Sequence, residues 1–164
     1  MNIQFALSDE IQLPERKDYR IGVIGSGFIV KECHLPAYRL AGYTVKGIAS
    51  RTYQKAKDVA VQFELPKAYA TIDELLNDSE IDAVDIAVPP HEQPSLIEKA
   101  AMAGKHILAQ KPLAVTYAEA LRATEVCERY GVKLVVNHNG RFDPAVRAAK
   151  NILEQGLIGK PVFA

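Results

Sequence analysis

Short apolar, β-branched runs alternate with amphipathic segments along nearly the whole chain, and no other feature restricts its fold as tightly. Strands are predicted over residues 21–24, 44–50, 68–70, 83–88, 106–109 and 132–136. Helices are predicted over 28–40, 52–63, 71–76, 94–103, 117–130 and 143–155. The punctuation agrees. Thr71-Ile72-Asp73-Glu74 has capping-box form, Thr116 can cap the next long helix, and Pro94 suits a first turn. Gly42, Gly104, Gly131 and Gly156 stand where helices should stop. Pro36 should kink or restart the first helix, because it removes a backbone donor. In 52–63, Ala56, Val59, Ala60 and Phe63 share one face. Strand–helix alternation with short connections predicts an α/β fold, a doubly wound parallel sheet joined by right-handed crossovers.

The first strand leads directly into Gly25-Ser26-Gly27-Phe28-Ile29-Val30. Residues 21–24 hold no charge, as a strand covered on both faces requires. Gly25 permits a sharp turn, and Gly27 lets a ligand's phosphates approach the main chain. The helix that follows would aim its unpaired N–H groups and positive dipole end at the same anion. Val30 holds the third fingerprint position, where a small residue is usual.

Composition narrows the function. The 164 residues suffice for one full α/β domain. Twenty basic and twenty acidic side chains cancel, which leaves no electrostatic footprint for nucleic acid or an anionic membrane. No apolar run approaches the roughly 18 residues of a membrane span. Residues 1–10 lack a basic leader and a long apolar core, so a cytoplasmic protein is expected. Cys33 and Cys127 share no pairing or ligand spacing and are expected as reduced, buried thiols.

Ligands of a doubly wound sheet bind outside the carboxyl ends of its strands. Residues predicted there are 25–29, Ser50-Arg51, Val88-Pro89-Pro90-His91, Gln110-Lys111-Pro112 and Asn137-His138-Asn139. Lys111 is positioned by its backbone, directly after an apolar strand and before Pro112. Ser50 and Arg51 end the second strand, where a carboxylate would bind an adenosine ribose. A hydroxyl and a guanidinium with no carboxylate beside them suit a 2′-phosphate, which favours NADP over NAD. Arg51 could instead stack on adenine or begin a solvated turn. Among the histidines, His106 and His34 are assigned to packing, while His91 and His138 lie on the candidate edge. None has metal-ligand spacing, so no metal site is expected. Asp82 and Asp85 flank a strand and are read as boundary solvation.

Three ordered motifs resemble the glucose–fructose oxidoreductase, inositol dehydrogenase and related (Gfo/Idh/MocA) family, over about residues 19–162. Residues 103–114, Ala-Gly-Lys-His-Ile-Leu-Ala-Gln-Lys-Pro-Leu-Ala, are similar to that family's AGKHVxxEKPLA segment. Arg141-Phe142-Asp143-Pro144 resembles its RFDP stretch, and residues 156–161 resemble its G-x-I-G-x-P lead into a second domain. Four residues depart from the pattern: Val30 replaces a small residue, Gln110 replaces a glutamate, and Pro90 and Gln93 replace an asparagine and a histidine.

The resemblance implies a Rossmann-type domain and an NAD(P)-dependent oxidoreductase acting on a sugar, cyclitol or similar polyol. Lys111 would be the catalytic group, holding the hydroxyl being oxidised and exchanging its proton. A cationic nicotinamide beside it is a reason for a lowered lysine pKa. Cofactor contacts are expected from Gly25, Gly27, Phe28, Ile29, Ser50, Arg51, Ala87, Val88, Pro89, Gln110, Lys111, Asn139 and Arg141. The implied organisation is an arm over 1–18, a dinucleotide-binding domain over 19–142, and a junction helix opening a second, truncated domain over 143–164. That second domain would supply the substrate pocket and a homo-oligomer interface. A dinucleotide-sensing regulatory or scaffold protein of the same fold is the alternative.

Overall fold

The computed structural model describes residues 14–162, so most of the expected N-terminal arm lies outside the described residues. Residues 16–137 form one unit, and residues 138–162 fall in another. In the first, five parallel strands make one sheet in the order β2-β1-β3-β4-β5. They are β1 (Arg20–Ile24), β2 (Thr44–Ala49), β3 (Ala83–Ile86), β4 (His106–Ala109) and β5 (Leu134–Val136). The order reverses beside β1, which starts the chain's outward winding in both directions. The doubly wound prediction holds.

One predicted strand does not form. Residues 68–70 make a single parallel bridge, Ile48 to Ala68, because Lys67 and Tyr69 lend only one carbonyl and one N–H to Ile48. The helices are α1 (Leu35–Ala41), α2 (Tyr53–Gln62), α3 (Ile72–Asn77), α4 (Gln93–Met102) and α5 (Tyr117–Arg129). Thr116 and Glu119 close a complete capping box on α5. Thr71 accepts from the Glu74 N–H, while the Glu74 carboxylate turns to the Ala70 N–H instead.

Side chains alternate across each strand and divide the core in two. Ile24, Val84, Ile86 and Ile107 pack with Ile97, Ala100, Ala123 and Val126 of α4 and α5. Ile21, Val23 and Ile48 face the other way, against Leu35, Ala56, Val59 and Ala60. Burying each large aliphatic side chain contributes about 1.5–3 kcal/mol. Asp85 interrupts this arrangement, with 1% of its surface exposed in the middle of β3. It is therefore not boundary solvation. Asp82 lies at the opposite end of the strand, where both of its oxygens bind the Arg20 guanidinium.

The predicted first helix contains a π-helical turn, Val30–His34, in which the Leu35 N–H reaches back to the Val30 carbonyl. The wider turn precedes Pro36, whose missing donor a continuous α-helix would have left as a gap. Cys33 is exposed on it, contrary to expectation, and Cys127 is buried. In the second unit, Asp143 caps α6 (Pro144–Glu154) by accepting from the Ala145 and Val146 N–H groups. No residue of α6 is buried.

Candidate dinucleotide site

The strand ends come into register: Ile24 pairs with Ile86, Ile86 with Ala109, and Ala109 with Val136. The segments that leave them, beginning at Gly25, Ala87, Gln110 and Asn137, therefore share one edge. Gly25 is buried, donates its N–H to the Ala49 carbonyl at 2.9 Å, and has φ +121°. A Cβ there would lie 2.3 Å from the Ala87 carbonyl oxygen. The residue must be glycine for the β1 and β3 loops to meet. Gly27 is exposed, and a Cβ on it would meet nothing within 4 Å. The main chain there is open to a large anion, so the loop fits a pyrophosphate. Phe28 is 74% exposed, Ile29 is half-buried, and Val30 is fully buried in the core. The departure at the third fingerprint position is thus a packing residue.

At the end of β2 the prediction needs correcting. Ser50 is buried and its hydroxyl donates to the Thr52 carbonyl at 2.7 Å, which ties it into the turn. Arg51 is exposed but not alone: Glu92, from the segment after β3, accepts from its Nη1 at 3.1 Å. The same carboxylate lies 3.6 Å from His91 Nε2. A carboxylate therefore does stand beside Arg51, supplied from 41 residues further along the chain.

At the end of β4, Lys111 is exposed. Its N–H donates to Gln110 Oε1 at 2.8 Å, and the next carbonyl, of Pro112, accepts from Gln93 Nε2 at 2.7 Å. Gln93 is completely buried and opens α4. The two glutamines that depart from the family pattern thus hold the backbone on either side of Lys111. Ala87 is buried and Val88 half-buried beneath this edge, and Pro89 is exposed on it.

His34, expected from the sequence only to pack, is the hub of a polar cluster. It is buried, and its Nδ1 lies 2.7 Å from Asp85 Oδ2, which also accepts from the Tyr38 hydroxyl at 3.0 Å. His34 Nε2 lies 3.2 Å from Gln110 Nε2 and 3.1 Å from Asn137 Nδ2. The hydrogen bond to Asp85 holds the His34 pKa above its ordinary value, while burial works against this. Burial and the same carboxylate push the Tyr38 phenol up. No local sequence pattern connects residues 34, 85, 110 and 137, so only the fold could reveal the cluster. His106 Nδ1 accepts from the Lys133 N–H, a structural role as expected. Asn139 and Arg141 lie exposed in the 3₁₀ turn Asn139–Phe142 of the second unit. His138 is exposed just before it.

A family model described as "Oxidoreductase family, NAD-binding Rossmann fold" matches residues 19–138. The chain belongs to the Gfo/Idh/MocA oxidoreductases. It is similar to D-apiose dehydrogenase of Paraburkholderia graminis, with 34% identity over 90% of this chain and 39% of the relative. An NAD binding oxidoreductase from Klebsiella pneumoniae superimposes with a TM-score of 0.83 at 36% identity, over 88% of this chain and 41% of that one. A 3-ketoreductase from Actinomadura kijaniata, in complex with NADP, does so with 0.78 at 33%, over 87% and 46%. The chain spans under half the length of each. Among the described residues, no helix is long and apolar enough to cross a membrane.

Proposed function

We propose that residues 19–142 are the dinucleotide-binding domain of a dehydrogenase that oxidises a CH–OH group of a sugar, cyclitol or similar polyol. One observation carries this reading. Lys111 is exposed on the in-register strand edge, with its backbone held on both sides by Gln110 and Gln93. When bound, a nicotinamide supplies the hydride acceptor. The chain's own residues do the rest. Gly25 closes the loop and Gly27 admits the pyrophosphate. The Lys111 ammonium hydrogen-bonds the substrate oxygen and, as the neutral amine, takes the hydroxyl proton; in reduction it returns that proton to the carbonyl oxygen.

Ser50 and Arg51 mark the adenosine ribose end. NADP binding there requires Arg51 to exchange Glu92 for the 2′-phosphate; NAD binding leaves the Arg51–Glu92 pair intact. Similarity to D-apiose dehydrogenase supports a carbohydrate-like substrate. Asn139 and Arg141 are proposed as further contacts of the nicotinamide end, and residues 143–164 as the lead into a second domain.

Calorimetric titration with NAD(H) and NADP(H) tests the binding reading. Lys111→Ala in the complete enzyme is expected to lower kcat by about 10²–10⁴-fold, with dinucleotide affinity nearly unchanged. Equal losses in kcat and affinity would refute the catalytic role.

A further inference from the structure

Asp85, His34 and Asn137 join Gln110 in a buried to half-buried polar cluster, and the first three have no part in the function proposed above. Asp85 comes from the centre of β3, His34 from the π-helical turn, Gln110 from the end of β4 and Asn137 from the end of β5. Their hydrogen bonds have a direction that can be worked out. The Lys111 main-chain N–H can only donate, so the Gln110 atom 2.8 Å away must be the oxygen. The Gln110 amide then turns its NH₂ toward His34 Nε2, which must accept. An imidazole that accepts at Nε2 carries its proton on Nδ1, and that N–H donates to Asp85 Oδ2. Each assignment compels the next, from Lys111 back to the carboxylate.

We propose that Asp85 and His34 are positioning residues that act through Gln110 on the backbone of Lys111, and so set where its amine can reach. The proposal rests on the dehydrogenase reading for its consequence in turnover, but not for the relay itself. Asn137 Nδ2 lies 3.1 Å from the same nitrogen, so one ring links the π-helical turn to β3 and to the residues just after β4 and β5. The arrangement explains the glutamine at 110. A glutamate there has no N–H to give His34 Nε2. The ring would have to become an imidazolium between two carboxylates, and the Lys111 N–H would compete with it for the same oxygens. The cost of burying Asp85 fits a role beyond stability, since its Oδ1 has no hydrogen-bond partner among the described residues.

The test is a double-mutant cycle in the complete enzyme, using His34→Phe, Lys111→Ala and the pair. His34→Phe is expected to lower kcat about 100-fold, as a small misplacement of a catalytic group does, with dinucleotide affinity nearly unchanged. In the Lys111→Ala background the same change should cost almost nothing. His34→Gln, which can still accept from Gln110, should recover part of kcat and serves if the phenylalanine variant folds poorly. Equal losses in both backgrounds would overturn the relay, because a merely structural histidine would cost as much with or without the lysine. If Lys111→Ala itself keeps full turnover, the catalytic reading fails alone. Nitrogen-15 NMR then decides the relay. It requires the Nδ1–H tautomer of His34 and a changed Lys111 amide resonance in His34→Phe; an Nε2–H ring, or an unmoved amide, would overturn it.

Discussion

Gly25 and Gly27 stand two residues apart in one loop, yet alanine at each should fail for opposite reasons. At Gly25 the φ of +121° costs a side-chain-bearing residue about 1–3 kcal/mol. The Cβ would also sit 2.3 Å from the Ala87 carbonyl oxygen, a main-chain atom that no rotamer change can move. Overpacking of that kind adds about 1–3 kcal/mol. Together the two give about 4 kcal/mol, which for a chain of this size lowers Tm by about 8–16 °C. At Gly27 the added methyl meets open space, so stability should change by less than about 0.5 kcal/mol. The methyl instead occupies the approach to the main chain, and dinucleotide affinity should fall at least about tenfold, or about 1.4 kcal/mol. Thermal melts and calorimetric titrations of the two variants read both quantities. The reasoning is refuted if Gly27→Ala melts as early as Gly25→Ala, or if Gly27→Ala binds NADP(H) and NAD(H) as the parent does.

Two further outcomes follow from ion pairs. Glu92→Gln releases Arg51 from its carboxylate, and NADP(H) should bind up to about fivefold more tightly with NAD(H) little changed, as competitive titration would show. Unchanged NADP(H) affinity would remove Arg51 from the ribose site. At the other end of the sheet, hydrogen bonds from Arg20 hold the Asp82 carboxyl down at about 2. The Glu80 N–H, Tyr69 and Lys67 hold Asp78 at about 2 as well. A depressed carboxyl stabilises the fold above its unfolded pKa of about 3.9 and loses that contribution as pH falls toward 2. Urea midpoints should therefore hold steady down to about pH 4 and then drop, and Asp82→Asn should shallow the drop. Identical acid slopes for parent and variant would contradict this.

The division between sequence and structure follows the range of the interactions. Strand and helix identity is local. It lies in the apolar run at 21–24, the Thr116–Glu119 box and the glycines after the helices, and nearly all of it could be read in order along the chain. Residues 68–70 make no strand because a β-compatible triplet needs a neighbour that offers more than one bonding residue, and here Ile48 alone bonds to it. The candidate site was legible as a set of loop tips, since a parallel sheet places every strand's carboxyl end on one edge.

What those tips touch was not legible. The partner of Arg51 lies 41 residues away in sequence, and that of His34 lies 51. No pattern of spacing records such pairs, because sheet order and register set them. By itself the sequence determined a doubly wound sheet, a glycine loop open to phosphate and a lysine at a strand end. Only the tertiary structure decided that Asp85 is buried, that His34 lies within hydrogen-bond distance of it, and that Gln110 joins His34 to the Lys111 backbone. The reason is physical. A hydrogen bond needs two groups within about 3 Å of each other, and here folding alone supplies that distance.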